Sequence, residues 1–191
     1  RQGRRDSVSS RDTVLELVAR EEQPIEVLMF SFFKRTPVFQ DKAFEELAEM
    51  LWLDDEEPTY KREVLKPSLL DFSVRSLAQI DDYLDVVRAD EVEGQVMMRV
   101  VLRAGAYVGE VVRRHSKTEY HWVDYEQAAR ESRMVKDIGV HLGTMGVLRA
   151  GPDAMCFPLG KVCKFLENGR EDSVQFFAKV IIEGVGQAVS H

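Results

Sequence analysis

Glu110 is the residue of this sequence best placed to do chemistry. It lies in the run Gly105-Ala106-Tyr107-Val108-Gly109-Glu110-Val111-Val112-Arg113-Arg114. Spacings of three and four residues on a helix set it beside Tyr107 and Arg114, with Arg103 two turns earlier on the same side. A carboxylate in that setting can act as a base while an arginine orients an anionic substrate. The same row can instead be a surface or half-buried ion pair that fixes helix packing. Between two arginines the charged carboxylate is favoured, which suits an anchor better than a base working near neutral pH. Lys161, at a predicted helix start, completes a candidate ligand-binding set of Glu110, Arg103, Arg114, Tyr107 and Lys161. No residue is assigned a catalytic role.

Other chemistries find weaker footing. His115, His121, Asp124 and His141 would converge only if a strand folded back on the helix end. The sequence has no HExxH, CxxC or paired-histidine spacing, so no metal site or cofactor is expected. Asp54 to Glu57 lacks the alternating ligands and turn glycine of a calcium loop and reads as a solvated acidic loop. There is no G-x-S-x-G elbow. Cys156 and Cys163 fall on predicted apolar faces, as inert thiols do. The stretch from Gly139 to Gly146 has the glycines of a phosphate loop without its lysine or its strand-to-helix frame, and reads as a flexible connection.

The elements that must position these residues are mostly helical. Residues 1–11 are polar and basic and are expected to be poorly ordered unless docked. Asp12 offers a cap to a short helix, and Ile25 to Phe33 is strongly apolar, either buried helix or strand. Asp41 is expected to cap a helix with Phe44, Leu47, Ala48 and Leu51 on one face. The acidic run Asp54-Asp55-Glu56-Glu57 before Pro58 reads as a break. It divides the chain into an N-terminal helical arm, 1–57, and a main α+β domain, 58–191. Ser73 caps a helix with Leu77, Ile80, Leu84 and Val87 buried and Asp81, Asp82 and Asp85 wet. The longest helical signal runs from about Gln95 to His115, and its Gly105 and Gly109 point to a close neighbour along one side. A strand follows at 120–124, then a short polar helix at 126–136. Two strands, 145–149 and 154–157, flank the turn Ala150-Gly151-Pro152-Asp153. A helix starts at Pro158 and ends at Asn168-Gly169, and Ser173 caps the last one. The expectation is an α+β fold, predominantly helical, with a long central helix and a small antiparallel sheet of about three strands. The absence of βαβ alternation argues against Rossmann and TIM architectures.

Two segments carry a resemblance. The helix Gly105-Ala106-Tyr107-x-Gly109-Glu110-x-x-Arg113-Arg114, a strand bearing Trp122, and the closing segment Phe157-Pro158-Leu159-Gly160-Lys161-Val162 resemble a domain family of uncharacterised bacterial proteins. The resemblance covers residues 68–185. It implies a shared fold and a bacterial source, and it implies no activity.

Composition narrows the function classes. The chain has 191 residues and a net charge of -7, with 45% hydrophobic and 31% charged residues. That is a globular composition with enough length for a core that needs no crosslinks. The acidic balance argues against nucleic acid as a partner. No run approaches a membrane span, and two thiols fit a reduced, cytoplasmic setting. Two functions compete. The first is a non-enzymatic protein–protein interaction or regulatory module, with a protein partner or a homodimer formed through the apolar N-terminal third. The second is an enzyme or binder of a small anionic ligand built on Glu110 with Arg103 or Arg114.

Overall fold

A computed structural model describes residues 39–53 and 56–184. The apolar stretch Ile25–Phe33, the short helix expected after Asp12 and the proposed N-terminal dimer contact lie outside those residues. Seven α-helices and a three-stranded antiparallel sheet make up the described part. They are α1 (Asp41–Glu49), α2 (Leu77–Ala89), α3 (Gly94–His115), β1 (His121–Asp124), α4 (Tyr125–Glu131), α5 (Arg133–Ile138), β2 (Gly146–Gly151), β3 (Ala154–Cys156), α6 (Pro158–Asn168) and α7 (Val174–Glu183). The predominantly helical α+β architecture with one long central helix is therefore the observed one.

Helix α3 has 22 residues, so it runs about 33 Å at 1.5 Å per residue. Every residue from Arg103 to Val112 is buried, so this part of the helix has no solvent face. Helices α1, α6 and α7 pack against it. Its two interior glycines make the packing possible. A Cβ on Gly105 would lie 2.9 Å from Leu159 Cα, and one on Gly109 would lie 2.0 Å from the Trp122 ring. Three basic residues, Arg113, Arg114 and His115, end the helix where its dipole is negative.

Helix α1 lies on the N-terminal side of the acidic break, yet Phe44, Ala48 and Leu51 belong to the same core as Leu77, Val108 and Phe165. Asp41 does not cap this helix as the sequence suggests. It is the first helical residue, and Gln40 precedes it with no side-chain cap. The Asp41 carboxylate is used across the fold instead, accepting Trp122 N–H at 2.7 Å and meeting His121 Nδ1 at 2.7 Å.

The sheet has the order β1-β2-β3. In its register Trp122 faces Leu148 and Val123 faces Val147. Alternation along a strand sends these pairs to opposite faces. Trp122 and Leu148 enter the main core, whereas Val123 and Val147 form a second, small core with Ala128 of α4 and Val135 of α5. The single polar helix expected at 126–136 is two helices, because Ser132 takes an extended conformation between them. Asp81 also departs from expectation. It is buried, because its carboxylate accepts Val174 N–H at 2.8 Å and Ser173 O–H at 2.6 Å and so ties α2 to the start of α7.

Candidate functional site

Glu110 reaches the middle of the molecule because α3 is buried all round, and its side chain has no exposed surface. Its two oxygens are occupied by four donors. Arg113 gives a two-pronged contact, Nε to Oε1 and Nη2 to Oε2, both at 2.9 Å. The Trp122 indole N–H donates to Oε1 at 3.0 Å, and Arg114 Nε donates to Oε2 at 3.3 Å. The bond to Glu110 raises the Arg113 guanidinium above its ordinary pKa. A fork-to-fork arginine–carboxylate contact of this kind is both directional and strong.

Arg114 carries the network outward. Its Nη2 donates to Glu45 of α1 at 2.6 Å, and its guanidinium lies 3.8 Å from the centre of the Phe72 ring. Phe72 in turn stacks on Tyr107 with centroids 4.7 Å apart. Phe72 has φ 58, a left-handed conformation that is costly for a bulky side chain. Its backbone is held on both sides. The amide donates to Tyr107 Oη at 3.0 Å, and the carbonyl meets His115 Nε2 at 2.9 Å. The Ser76 hydroxyl gives its proton to Ser73 O, so the 2.6 Å contact between Tyr107 Oη and Ser76 Oγ has tyrosine as donor. Burial raises the Tyr107 pKa.

The structure thus divides the candidate set. Glu110 and Arg114 meet, and Tyr107 joins them through Phe72. Arg103 faces elsewhere, donating to Glu57 O at 2.9 Å and Thr59 Oγ1 at 3.0 Å. Lys161 pairs with Asp172 at 2.7 Å, away from the Glu110 cluster. Two members were missed by the sequence reading. Arg113 stands three residues after Glu110, so helical spacing could have found it. Trp122 arrives from β1, and only tertiary structure brings it there.

The scattered histidines stay apart. His115 meets Phe72, His121 meets Asp41, and the His141 ring accepts Gly143 N–H at 3.1 Å. Asp124 caps α4 by accepting Gln127 N–H at 2.7 Å. Among the described residues no group of three or more His, Cys, Asp or Glu side chains is arranged to hold a metal ion. Burial pushes the Cys156 thiol up to about 12 and the Cys163 thiol up to about 11. Neither is a thiolate near neutral pH. The glycine stretch 139–146 holds a short 3-10 turn, Leu142–Thr144, closed by reciprocal bonds between His141 and Thr144.

Helices α4 and α5 border an open groove with Tyr125 and Ala129 among its lining residues. Beside it α5 turns Val135 inward and leaves Met134 and Ile138 53% and 47% exposed, followed by Val140 at 54%. No helix among the described residues is long and apolar enough to cross a membrane. No family model, curated protein or solved structure matches the chain.

Proposed function

We propose that this chain is a non-enzymatic protein–protein interaction or regulatory module. The observation that supports this reading is the contrast between the Glu110 cluster and α5. The carboxylate with the best means of doing chemistry is enclosed and fully engaged by Arg113, Arg114 and Trp122. A substrate would have to displace at least one of those donors to reach it. Helix α5, by contrast, presents Met134 and Ile138 one turn apart to solvent. Large apolar side chains grouped on one surface are a common mark of a protein contact.

The competing reading is a small anionic ligand held by Arg114, whose side chain is 32% exposed, with Glu110 behind it. A thermal-shift screen of phosphates, carboxylates and nucleotides tests the choice. The expected result is that no anion raises the melting temperature of the wild type more than that of Arg114→Gln. An anion that stabilises the wild type and leaves Arg114→Gln unmoved would overturn the interaction reading and make this cluster a binding site.

A further inference from the structure

We propose that the outer face of α5, with the groove beside it, is a self-association surface whose occupant is a second copy of this chain. The inference rests on the interaction reading above and names both the surface and the partner.

The first argument is the apolar strip. Met134 and Ile138 are neighbours on the exposed side of α5, about 60–100° round the helix from the buried Val135, and Val140 follows them. The second argument is charge. The chain as a whole carries -7, so two copies repel unless they meet where the charge is locally balanced. The groove has that balance, with Glu126, Glu131 and Asp137 against Arg130, Arg133 and Lys136. A strongly basic or acidic partner would find no matching field there, whereas a second copy offers the same balanced set.

The third argument is geometry. A two-fold axis brings the same patch of both subunits together, residue i against j and j against i. If two α5 helices lie antiparallel across such an axis, Met134 packs on Ile138 of the partner subunit, and Ile138 on the partner's Met134. Arg133 then comes beside Asp137 of the partner subunit, and Asp137 beside the partner's Arg133. Within one chain these two residues already pair at 3.6 Å on an open surface, with side chains 92% and 68% exposed. An exposed pair of that kind contributes little by itself and is free to exchange partners. Helix α5 has only six residues, so the contact is smaller than that of a permanent dimer. The association is therefore expected to be concentration-dependent.

Sedimentation velocity on the full chain, from about 5 to about 500 µM at low salt, tests the proposal. The wild type should rise from the 21.9 kDa monomer toward twice that mass. Ile138→Glu should weaken association at least about tenfold, a change of the size expected when an interface anchor is lost. Its melting temperature should stay close to that of the wild type. Arg133→Glu and Asp137→Lys should each weaken association alone. An equimolar mixture of those two variants should restore it. In the mixed dimer the acidic replacement in one copy meets the basic replacement in the other, and the second contact keeps its original Asp137 and Arg133. A wild type that stays monomeric at the highest concentration overturns the proposal, while the anion screen still decides the interaction reading separately. A dimer that Ile138→Glu leaves intact overturns the choice of face. A mixture that fails to restore association overturns the antiparallel pairing.

Discussion

Four donors around one buried carboxylate make Glu110 the most demanding position in the molecule. Removing a carboxylate from water costs several kcal/mol, and only well-directed partners offset that cost. Glu110→Gln keeps the shape but turns an NH2 toward groups that are themselves all donors. The expected loss of stability is about 2–4 kcal/mol in urea unfolding, above the about 0–1 kcal/mol of an exposed pair. A loss below that of an exposed pair would mean that the arginines and Trp122 are satisfied without the charge. Asp81 presents a second case at this scale. Asp81→Ala leaves the Val174 amide at the start of α7 without its acceptor. The expected cost is about 1–2 kcal/mol, as for a lost helix cap. It should appear as faster hydrogen exchange in α7 ahead of α2, and unchanged exchange there would show that Ser173 caps α7 unaided. Both positions show what a sequence conceals. Glu110 beside Arg114 follows from helical spacing, whereas Trp122 above Glu110 and Ser173 above Asp81 are long-range pairs that no periodicity announces.

At the scale of elements, hydrophobic period and punctuation carried most of the information. The stripe Leu77, Ile80, Leu84 and Val87 does face the core, and Pro158 and Asn168-Gly169 do bound α6. The register of the sheet, with Trp122 opposite Leu148 and Val123 opposite Val147, was not legible, because all four residues are apolar and both faces of the sheet are buried. Asp41 and Asp81 were misread because each carboxylate serves a partner distant in sequence, Trp122 and His121 for the first and Ser173 and Val174 for the second. Ser132, by contrast, divides the polar helix by a local change to an extended backbone. The interior glycines of α3 were legible as a close approach, and the structure supplies the neighbours. Gly109→Ala gains about 1 kcal/mol of helix propensity. It also sets a Cβ 2.0 Å from the Trp122 ring, which is held in turn by the parallel Phe44 ring with centroids 3.9 Å apart. Overpacking should win by about 1–3 kcal/mol net. Gly105→Ala should cost less, since its nearest contact is 2.9 Å. Gly151→Ala, with nothing within 4 Å, serves as a control and should change stability by no more than about 0.5 kcal/mol. A Gly109→Ala protein that melts at or above the wild-type temperature would show that the Trp122 ring can move aside.

For the molecule as a whole, burial of proton-bearing groups links folding to alkaline pH. Cys156 is pushed up to about 12 and Cys163 up to about 11, against an ordinary thiol value of 9.0. Burial raises the Tyr83 and Tyr107 hydroxyls as well, from an ordinary 10.0. In every case the folded state keeps a proton that the unfolded chain gives up first. Above the unfolded pKa the native state therefore binds more protons, and stability falls as pH rises. The contribution of these groups is fully present below about pH 9; that of Cys163 is lost as pH rises from there through about 11 and that of Cys156 through about 12, and the tyrosines begin to lose theirs above about pH 10. Each group whose folded and unfolded pKa values bracket the working pH adds a slope of up to about 1.4 kcal/mol per pH unit. Urea unfolding at a series of pH values from neutral upward should show a plateau followed by a steepening decline. Cys156→Ala should reduce that slope, because it removes the more deeply buried thiol. In the native state neither thiol should react with iodoacetamide at pH 8, and both should react once the chain is unfolded. Stability that stays level through the alkaline range would mean that water reaches Cys156 and Tyr83 in the folded protein, and that the core around α3 opens more readily than its packing implies.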